Sequence, residues 1–266
     1  MTDSGEEPKS RRSANRRFLL SAAVIGGLVW WGWPHVAPFL VGPFDFEELD
    51  TPAGFRRIAA GETSGFPGPF FGLDATETVD LTAEEQSARS DMCQALFGGA
   101  ANPGVVQIAS FSDYNCPYCR VLTQKLADIK ARSPGRVQIT WHEWPLLGPT
   151  SVYSARAAIA ADMQGAYEAF HKRLMRARFV PTERFLRTIA EDIGADPERL
   201  LADMSGPDVA ARLRNTEAVA RIFGFIGTPA LVVGRTVVIG NVSEATIAAL
   251  IDQERQDGPP PVCRTK

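Results

Sequence analysis

DYNCPYCR, residues 113–120, is the stretch that decides the fold of this chain. The apolar run VVQIASF at 105–111 precedes it and is typical of a buried strand, and a helical pattern follows it. Two cysteines two residues apart, placed between a strand and a helix, are typical of a redox-active pair. The alternative is half of a zinc site, but no second C-x-x-C or C-x-x-H follows. We therefore predict a dithiol–disulfide site at Cys116 and Cys119.

The helix after the motif predicts different surroundings for the two cysteines. Pro117 suits the first helical position, where its missing N–H costs nothing. Cys119 shares an apolar stripe with Leu122 and Leu126, so it should face the core. Cys116 precedes the first turn, and we expect it to be exposed, with a pKa lowered by the helix N-terminus. A stabilised thiolate favours the reduced form and makes the disulfide a better oxidant.

Composition limits the class of protein. The chain has 266 residues, 45% of them hydrophobic and 22% charged, which suits one mid-sized globular domain with accessory segments. Its net charge of -3 gives no indication of a nucleic-acid partner.

The N-terminus predicts export from the cytoplasm. Residues 1–17 are polar and basic, whereas residues 18–41 contain no charged side chain and acidic residues follow them. The positive-inside rule then places the bulk of the chain outside the cytoplasm. We favour an uncleaved transmembrane anchor; a cleaved secretory signal, or a twin-arginine signal suggested by NRRFLL at 15–20, are the alternatives. All three place the cysteine pair outside the cytoplasm.

Two further cysteines stand apart from the motif. If Cys116 and Cys119 pair with each other, Cys93 and Cys263 are left either as free thiols or as a structural disulfide. We favour the disulfide, which suits an oxidising compartment. It would close a loop of about 170 residues, worth at most roughly 5 kcal/mol, and would hold the proline-rich C-terminal tail.

The remaining pattern predicts an α/β order. After the motif helix come a strand at 137–141, a long helical block at 151–224, two strands at 230–233 and 236–239, and a closing helix. Gly234 and Arg235 suit a two-residue hairpin turn between the last strands.

Several of these residues resemble a known family. CPYC after a strand, with GTP at 227–229 before a later strand, is similar to the thioredoxin superfamily. The helical block between the two halves, together with WHEWPLLG at 141–148, resembles the DsbA-like thiol:disulfide oxidoreductases of bacteria. The similarity covers roughly residues 105–253. It implies a thioredoxin-like α/β fold with an inserted helical domain, behind an N-terminal transmembrane or signal helix.

The resemblance also implies roles for residues outside the cysteine pair. Thr228 and Pro229 would form a cis peptide bond facing Cys116, and the neighbouring backbone would pair with an extended substrate; the alternative is an ordinary trans proline. Related folds use a buried acid near the cysteines to move protons. Glu143 could do this, although a satisfied carboxylate at a sheet edge is the favoured interpretation.

The resemblance indicates the direction of electron flow between enzyme and substrate less clearly than it indicates the fold. Strong oxidants of the family often carry His where this chain has Tyr118, and Tyr cannot supply a positive charge to the thiolate. The Pro117-Tyr118 pair is reminiscent of glutaredoxins, and Thr228 is similar to isomerase and reductase members. We favour an oxidase; a reductase or isomerase is the alternative, and a tethered copper chaperone using the two thiolates is a further one.

These interpretations combine into one expected organisation. It comprises a cytoplasmic basic tail, an anchor or signal segment, a linker with an N-terminal extension, a DsbA-like thioredoxin domain and a C-terminal tail, at 1–17, 18–41, 42–104, 105–256 and 257–266. The expected location is the periplasmic side of a bacterial inner membrane, anchored or exported. Expected partners are protein thiols or disulfides and a membrane redox partner, and we expect no cofactor and no metal.

Overall fold

A computed structural model describes residues 44–58, 61–64, 80–100, 102–177 and 179–264. The predicted basic tail and the predicted anchor or signal segment lie outside these ranges. Within them, no helix is both long enough and apolar enough to cross a membrane.

The sheet has six strands in the order β1-β2-β6-β5-β3-β4. Along the chain they are β1 (Glu47–Glu48), β2 (Arg56–Arg57), β3 (Val106–Ser112), β4 (Val137–Glu143), β5 (Ala230–Val233) and β6 (Thr236–Ile239). The β3–β4 and β2–β6 pairs are parallel, and the other three pairs are antiparallel. Strand β3 therefore lies inside the sheet and delivers the cysteine motif at its carboxyl end.

The helices are α1 (Thr82–Ser90), α2 (Met92–Phe97), α3 (Pro117–Arg132), α4 (Pro149–Asp162), α5 (Tyr167–Arg176), α6 (Glu183–Asp192), α7 (Pro197–Asp203), α8 (Pro207–Ile222) and α9 (Glu244–Asp257). A short 3-10 helix follows at Pro261–Cys263. Helices α4 to α8 lie between β4 and β5, where the sequence predicts a helical block.

Both faces of the sheet are covered, because every residue of β3 is buried. On one face Ile108 packs with Leu126 of α3 and Leu250 of α9. On the other face Phe111 packs in a cluster with Val219 of α8. The alternation of side chains along a strand assigns neighbouring residues to opposite layers, so β3 separates two apolar layers.

Residues 44–58 add β1 and β2 to the same sheet. Arg56 is buried and pairs with Glu254 and Asp257 of α9, each at 2.7 Å, and its Nε donates to the Thr236 hydroxyl at 2.9 Å. Burial of a paired charge is tolerated when its hydrogen bonds are made. These ion pairs thus attach a segment that lies well before the motif to α9.

Asp91 separates α1 from α2. Its backbone is not helical, and its carboxylate accepts the Gln94 N–H at 2.9 Å, as an N-cap residue does. Cys93 of α2 forms a disulfide with Cys263, 170 residues further along the chain. The disulfide attaches the C-terminal 3-10 helix to α2.

Candidate active site

Cys116 is the N-cap residue of α3. Its backbone is extended, and its sulfur accepts the Cys119 N–H at 3.3 Å. Pro117 occupies the first turn, as the sequence predicts, and leaves the later amides free to face the sulfur. The helix N-terminus therefore favours a negative charge at this position.

Cys119 lies one turn further, on the buried face of α3. It is 1% exposed and shares that face with Leu122, Leu126 and Ile129. Both cysteines of the motif are free thiols in this structure. The apolar stripe seen in the sequence thus corresponds to the side of α3 that faces the interior.

The expectation that Cys116 is exposed is wrong, because its residue exposure is 0%. The apolar periodicity of α3 shows only which side of that helix is buried. It carries no information about distant segments that pack across the helix N-terminus. Here the Thr228 carbonyl oxygen lies 3.4 Å from the Cys116 sulfur, and the Ser64 side chain is near enough to the same sulfur to lower its pKa. Two distant segments therefore close over the thiol.

The two thiols have opposite acidities. A hydrogen bond from the Cys119 thiol is the main cause that lowers the pKa of Cys116 to about 6, against the opposing effect of burial. The Thr228 and Ser64 side chains and the Cys119 N–H lower it further. Burial, followed by the neighbouring Cys116, raises the pKa of Cys119 well above its usual value. At neutral pH Cys116 is a thiolate and Cys119 a thiol.

This difference predicts a pH dependence that can be measured. We expect the rate at which iodoacetamide alkylates Cys116 to rise with pH around a midpoint of about 6. The folded pKa of Cys116 lies below the unfolded one, so this thiol contributes stability that is fully present above the unfolded pKa and is lost as pH falls through about 6. Its full contribution is about 3 kcal/mol. Cys119, whose pKa is raised, lowers the stability of the reduced protein as pH rises past the unfolded value, and chemical denaturation measures both effects.

The oxidised protein is the control for this prediction, because neither cysteine of the pair titrates in a disulfide. The difference in unfolding free energy between reduced and oxidised protein should therefore change with pH. A midpoint near 8.5, the value of an ordinary thiol, would contradict the prediction.

Thr228 and Pro229 lie opposite Cys116 and are joined by a cis peptide bond. Thr228 is fully buried, and both of its backbone hydrogen-bonding groups are paired with Ser64. Its N–H donates to the Ser64 carbonyl oxygen, and its carbonyl oxygen accepts the Ser64 N–H, each at 2.7 Å. The backbone that the family resemblance assigns to substrate is thus occupied by a residue of the same chain.

Glu143 is the last residue of β4, which continues through His142 and does not end at Trp141 as predicted. Its Oε1 accepts hydrogen bonds from the hydroxyls of Tyr114, at 2.7 Å, and Tyr167. Its Oε2 is buried without a hydrogen-bonding partner among the described residues. The interpretation of Glu143 as a satisfied edge carboxylate is therefore wrong for one of its two oxygens.

His171 completes this buried polar cluster. Its Nδ1 lies 2.7 Å from the Tyr114 hydroxyl and 3.1 Å from the Tyr167 hydroxyl. Tyr114 and Tyr167 pack in one cluster with both cysteines, whereas Tyr118 packs at its margin. Burial, followed by the charge of Glu143, raises the pKa of both tyrosines well above the usual value.

Sequence reasoning missed Asp113, the residue that holds the motif loop. Asp113 is 1% exposed, and its carboxylate accepts four hydrogen bonds. The donors are the Asn115 N–H at 2.7 Å, the Ser151 hydroxyl at 2.6 Å, and the Leu146 and Leu147 N–H groups at 2.7 and 2.9 Å. An acidic residue directly after a buried strand was the available signal. Ser64, Tyr114 and Tyr167 carried no comparable signal.

The described residues contain no group of three or more His, Cys, Asp or Glu side chains that could hold a metal ion. The sulfurs of Cys116 and Cys119 are the soft donors at this site. Two adjacent thiols, one ionised and one protonated, are suited to attack on a disulfide followed by resolution of the mixed disulfide.

Comparison with known proteins identifies the domain. The family model described as the DSBA-like thioredoxin domain matches residues 107–252, more than half of the chain. A thioredoxin-like oxidoreductase from Silicibacter pomeroyi DSS-3 is 37% identical, with a TM-score of 0.56 over 61% of this chain and 97% of that one. A periplasmic thioredoxin-like protein from Salmonella enterica serovar Typhimurium is 28% identical, with a TM-score of 0.54 over 61% and 95%. The fold is a thioredoxin-like α/β fold.

A third likeness covers only part of a larger protein. A stretch of 149 residues is 25% identical to the Na(+)/H(+) antiporter NhaA of Herminiimonas arsenicoxydans. That stretch is 56% of this chain and 24% of the relative, so the chain spans about a quarter of the length of that curated protein.

Proposed function

Because the chain belongs to the DSBA-like thioredoxin domain family, and is therefore a thiol:disulfide oxidoreductase, we propose that it works as an extracytoplasmic oxidase that forms disulfides in protein substrates. The observation that carries this proposal is the Cys116 sulfur at the N-terminus of α3, which accepts the Cys119 N–H at 3.3 Å. Groups that stabilise this thiolate favour the reduced enzyme. The oxidised enzyme is therefore the better donor of its disulfide.

The proposed reaction is a pair of thiol–disulfide exchanges. A substrate thiolate attacks the Cys116 sulfur of the oxidised pair, the Cys116–Cys119 bond breaks, and Cys119 leaves and takes up a proton. A second substrate thiolate then attacks the substrate sulfur of the mixed disulfide and releases Cys116 as a thiolate. The substrate loses two electrons and two protons; the electrons reduce the enzyme pair, one proton stays on Cys119 and the other enters solvent.

The surrounding residues have supporting roles in this proposal. The backbone of Thr228 beside cis Pro229 pairs with the extended substrate, which places the substrate sulfur near Cys116. Glu143 exchanges protons for the buried side of the site, since its cluster with Tyr114 packs in the core that contains both cysteines. Tyr118 shapes the margin of that core.

The location is part of the proposal. The basic and apolar N-terminal pattern supports export with retention at the inner membrane, and the similar protein from Salmonella enterica serovar Typhimurium is periplasmic. The enzyme returns to its disulfide form by exchange with a membrane partner that carries a disulfide of its own. That partner supplies the oxidant for each further cycle.

The redox potential tests the direction of electron flow. A thiolate of pKa about 6 stabilises the reduced enzyme at neutral pH by about 1 kcal/mol more than the pKa near 7 of thioredoxin does. We therefore expect a potential at least about 20 mV less negative than the -270 mV of thioredoxin. Equilibration with glutathione, read by mass spectrometry of alkylated protein, measures it; a value at or below that of thioredoxin would reject the oxidase.

A reductase or isomerase is the second candidate. Tyr118, which supplies no charge to the thiolate, and Thr228 before the cis proline favour it by resemblance. In that direction the reduced Cys116 attacks a substrate disulfide first and Cys119 releases the product. The copper chaperone is a weaker alternative that rests on the two sulfurs alone, and tight Cu(I) retention without disulfide exchange would favour it.

A further inference from the structure

Residues Gly61–Ser64, here named the cap segment, lie along the edge of the site as an added strand. Ser64 forms an antiparallel bridge with Thr228, in which each N–H donates to the other carbonyl oxygen at 2.7 Å. Glu62 forms a second antiparallel bridge with Asn241, in which the Asn241 N–H donates to the Glu62 carbonyl oxygen at 2.8 Å. The pairing uses backbone groups, as β-strand addition by a peptide does.

The cap segment approaches the site unusually closely because the residues that face it are glycines, which have no side chains. A Cβ on Gly227 would lie 2.7 Å from the Ser64 carbonyl oxygen, which no Cβ tolerates. A Cβ on Gly240 would collide with the backbone of Gly61. Glycine at both positions leaves a groove into which an extended backbone fits closely.

The cap segment also covers the reactive sulfur. Ser64 is paired with Thr228, whose carbonyl oxygen lies 3.4 Å from the Cys116 sulfur, and Cys116 has 0% exposure. Thiol–disulfide exchange requires a second sulfur to contact Cys116 directly. A substrate strand would need the same two backbone groups of Thr228 that Ser64 now holds, so cap and substrate exclude each other.

We propose that the cap segment is an intramolecular competitor for the substrate groove, and that it makes the enzyme selective for extended polypeptide thiols over small thiols. This inference rests on the proposed function, because it identifies the class of thiol that enters the same site. An extended polypeptide restores both Thr228 hydrogen bonds as it displaces Ser64. A small thiol displaces the cap without replacing those hydrogen bonds and therefore reacts slowly.

The test separates backbone pairing from the other effects of Ser64. Ser64→Pro removes the N–H that donates to Thr228, whereas Ser64→Ala keeps that N–H and loses only the hydroxyl. Thr63→Pro is the matched proline, since the Thr63 N–H makes no hydrogen bond among the described residues. Each reduced variant is treated with iodoacetamide at a pH well above the Cys116 pKa, and modification at Cys116 is followed by peptide mass spectrometry.

We expect Ser64→Pro to raise the Cys116 alkylation rate about tenfold over Ser64→Ala, the effect of losing one hydrogen bond of about 1.4 kcal/mol. Thr63→Pro should match the wild type. Relative to the oxidised wild type, the oxidised Ser64→Pro variant should also show a larger increase in its rate of reaction with reduced glutathione than in its rate of reaction with a two-cysteine peptide.

Alkylation of Ser64→Pro within twofold of Ser64→Ala, or an equal rise in both proline variants, would overturn the competitor proposal. If Ser64→Pro increases the rate with glutathione no more than the rate with the peptide, the proposed selectivity is overturned. If alkylation responds as expected while neither wild type nor variants exchange disulfides with the peptide, the proposed function fails and the cap assignment stands. The two failures are therefore distinguishable.

Discussion

Cys116→Ser is expected to reduce disulfide exchange to the uncatalysed rate, whereas Cys119→Ser is expected to trap the enzyme on its substrate. At neutral pH about nine-tenths of Cys116 is thiolate when its pKa is about 6. Cys119 remains a thiol, because burial raises its pKa well above the usual value. Attack therefore begins at Cys116, and Cys119 acts only after a mixed disulfide has formed.

The two serine variants make a matched pair, since each loses one sulfur from the same helix turn. Reduced protein is mixed with a peptide disulfide, quenched with acid and analysed by intact mass. The Cys119→Ser variant should accumulate a one-to-one mixed disulfide, and the Cys116→Ser variant should accumulate none. Trapping by Cys116→Ser in place of Cys119→Ser would reverse the proposed roles.

Asp113→Ala is expected to lower the free energy of unfolding by roughly 3–5 kcal/mol. The carboxylate is 1% exposed and accepts four hydrogen bonds, two of them from the Leu146 and Leu147 N–H groups. Removing it leaves buried donors without an acceptor, which costs more than the net value of the bonds themselves. Asp113→Asn keeps the shape but turns an amide donor toward N–H groups, so it should lose a smaller part of the stability.

Asp91→Ala is the matched control, because Asp91 also accepts a backbone N–H but is exposed at the start of α2. Its loss should cost about 1 kcal/mol, as for an ordinary N-cap residue. Chemical denaturation of the oxidised proteins measures all three variants, with unchanged m-values showing that the same surface is exposed on unfolding. Equal losses for Asp113→Ala and Asp91→Ala would show that the motif loop does not depend on Asp113.

The elements around the motif were predictable because their information is local. The strand β3, the helix α3 with Pro117 in its first turn, and the buried face of Cys119 all follow from neighbouring residues and one periodicity. The resemblance of this chain to the DsbA-like family is confirmed by the family match over residues 107–252. The two-residue strands β1 and β2 were not predictable, since two residues carry no periodic pattern.

The sequence by itself determined the pair of sulfurs that we propose to react: two cysteines at a strand-to-helix junction, with one member on the core face of α3. Only the tertiary structure decided how those atoms are enclosed. Ser64 pairs with Thr228, 164 residues further along the chain, and Glu143 meets Tyr114 and Tyr167 in the core. Such contacts depend on backbone pairing and on where distant segments pack, and no local spacing encodes either. For this reason a thiol that its own helix would leave at the surface is buried.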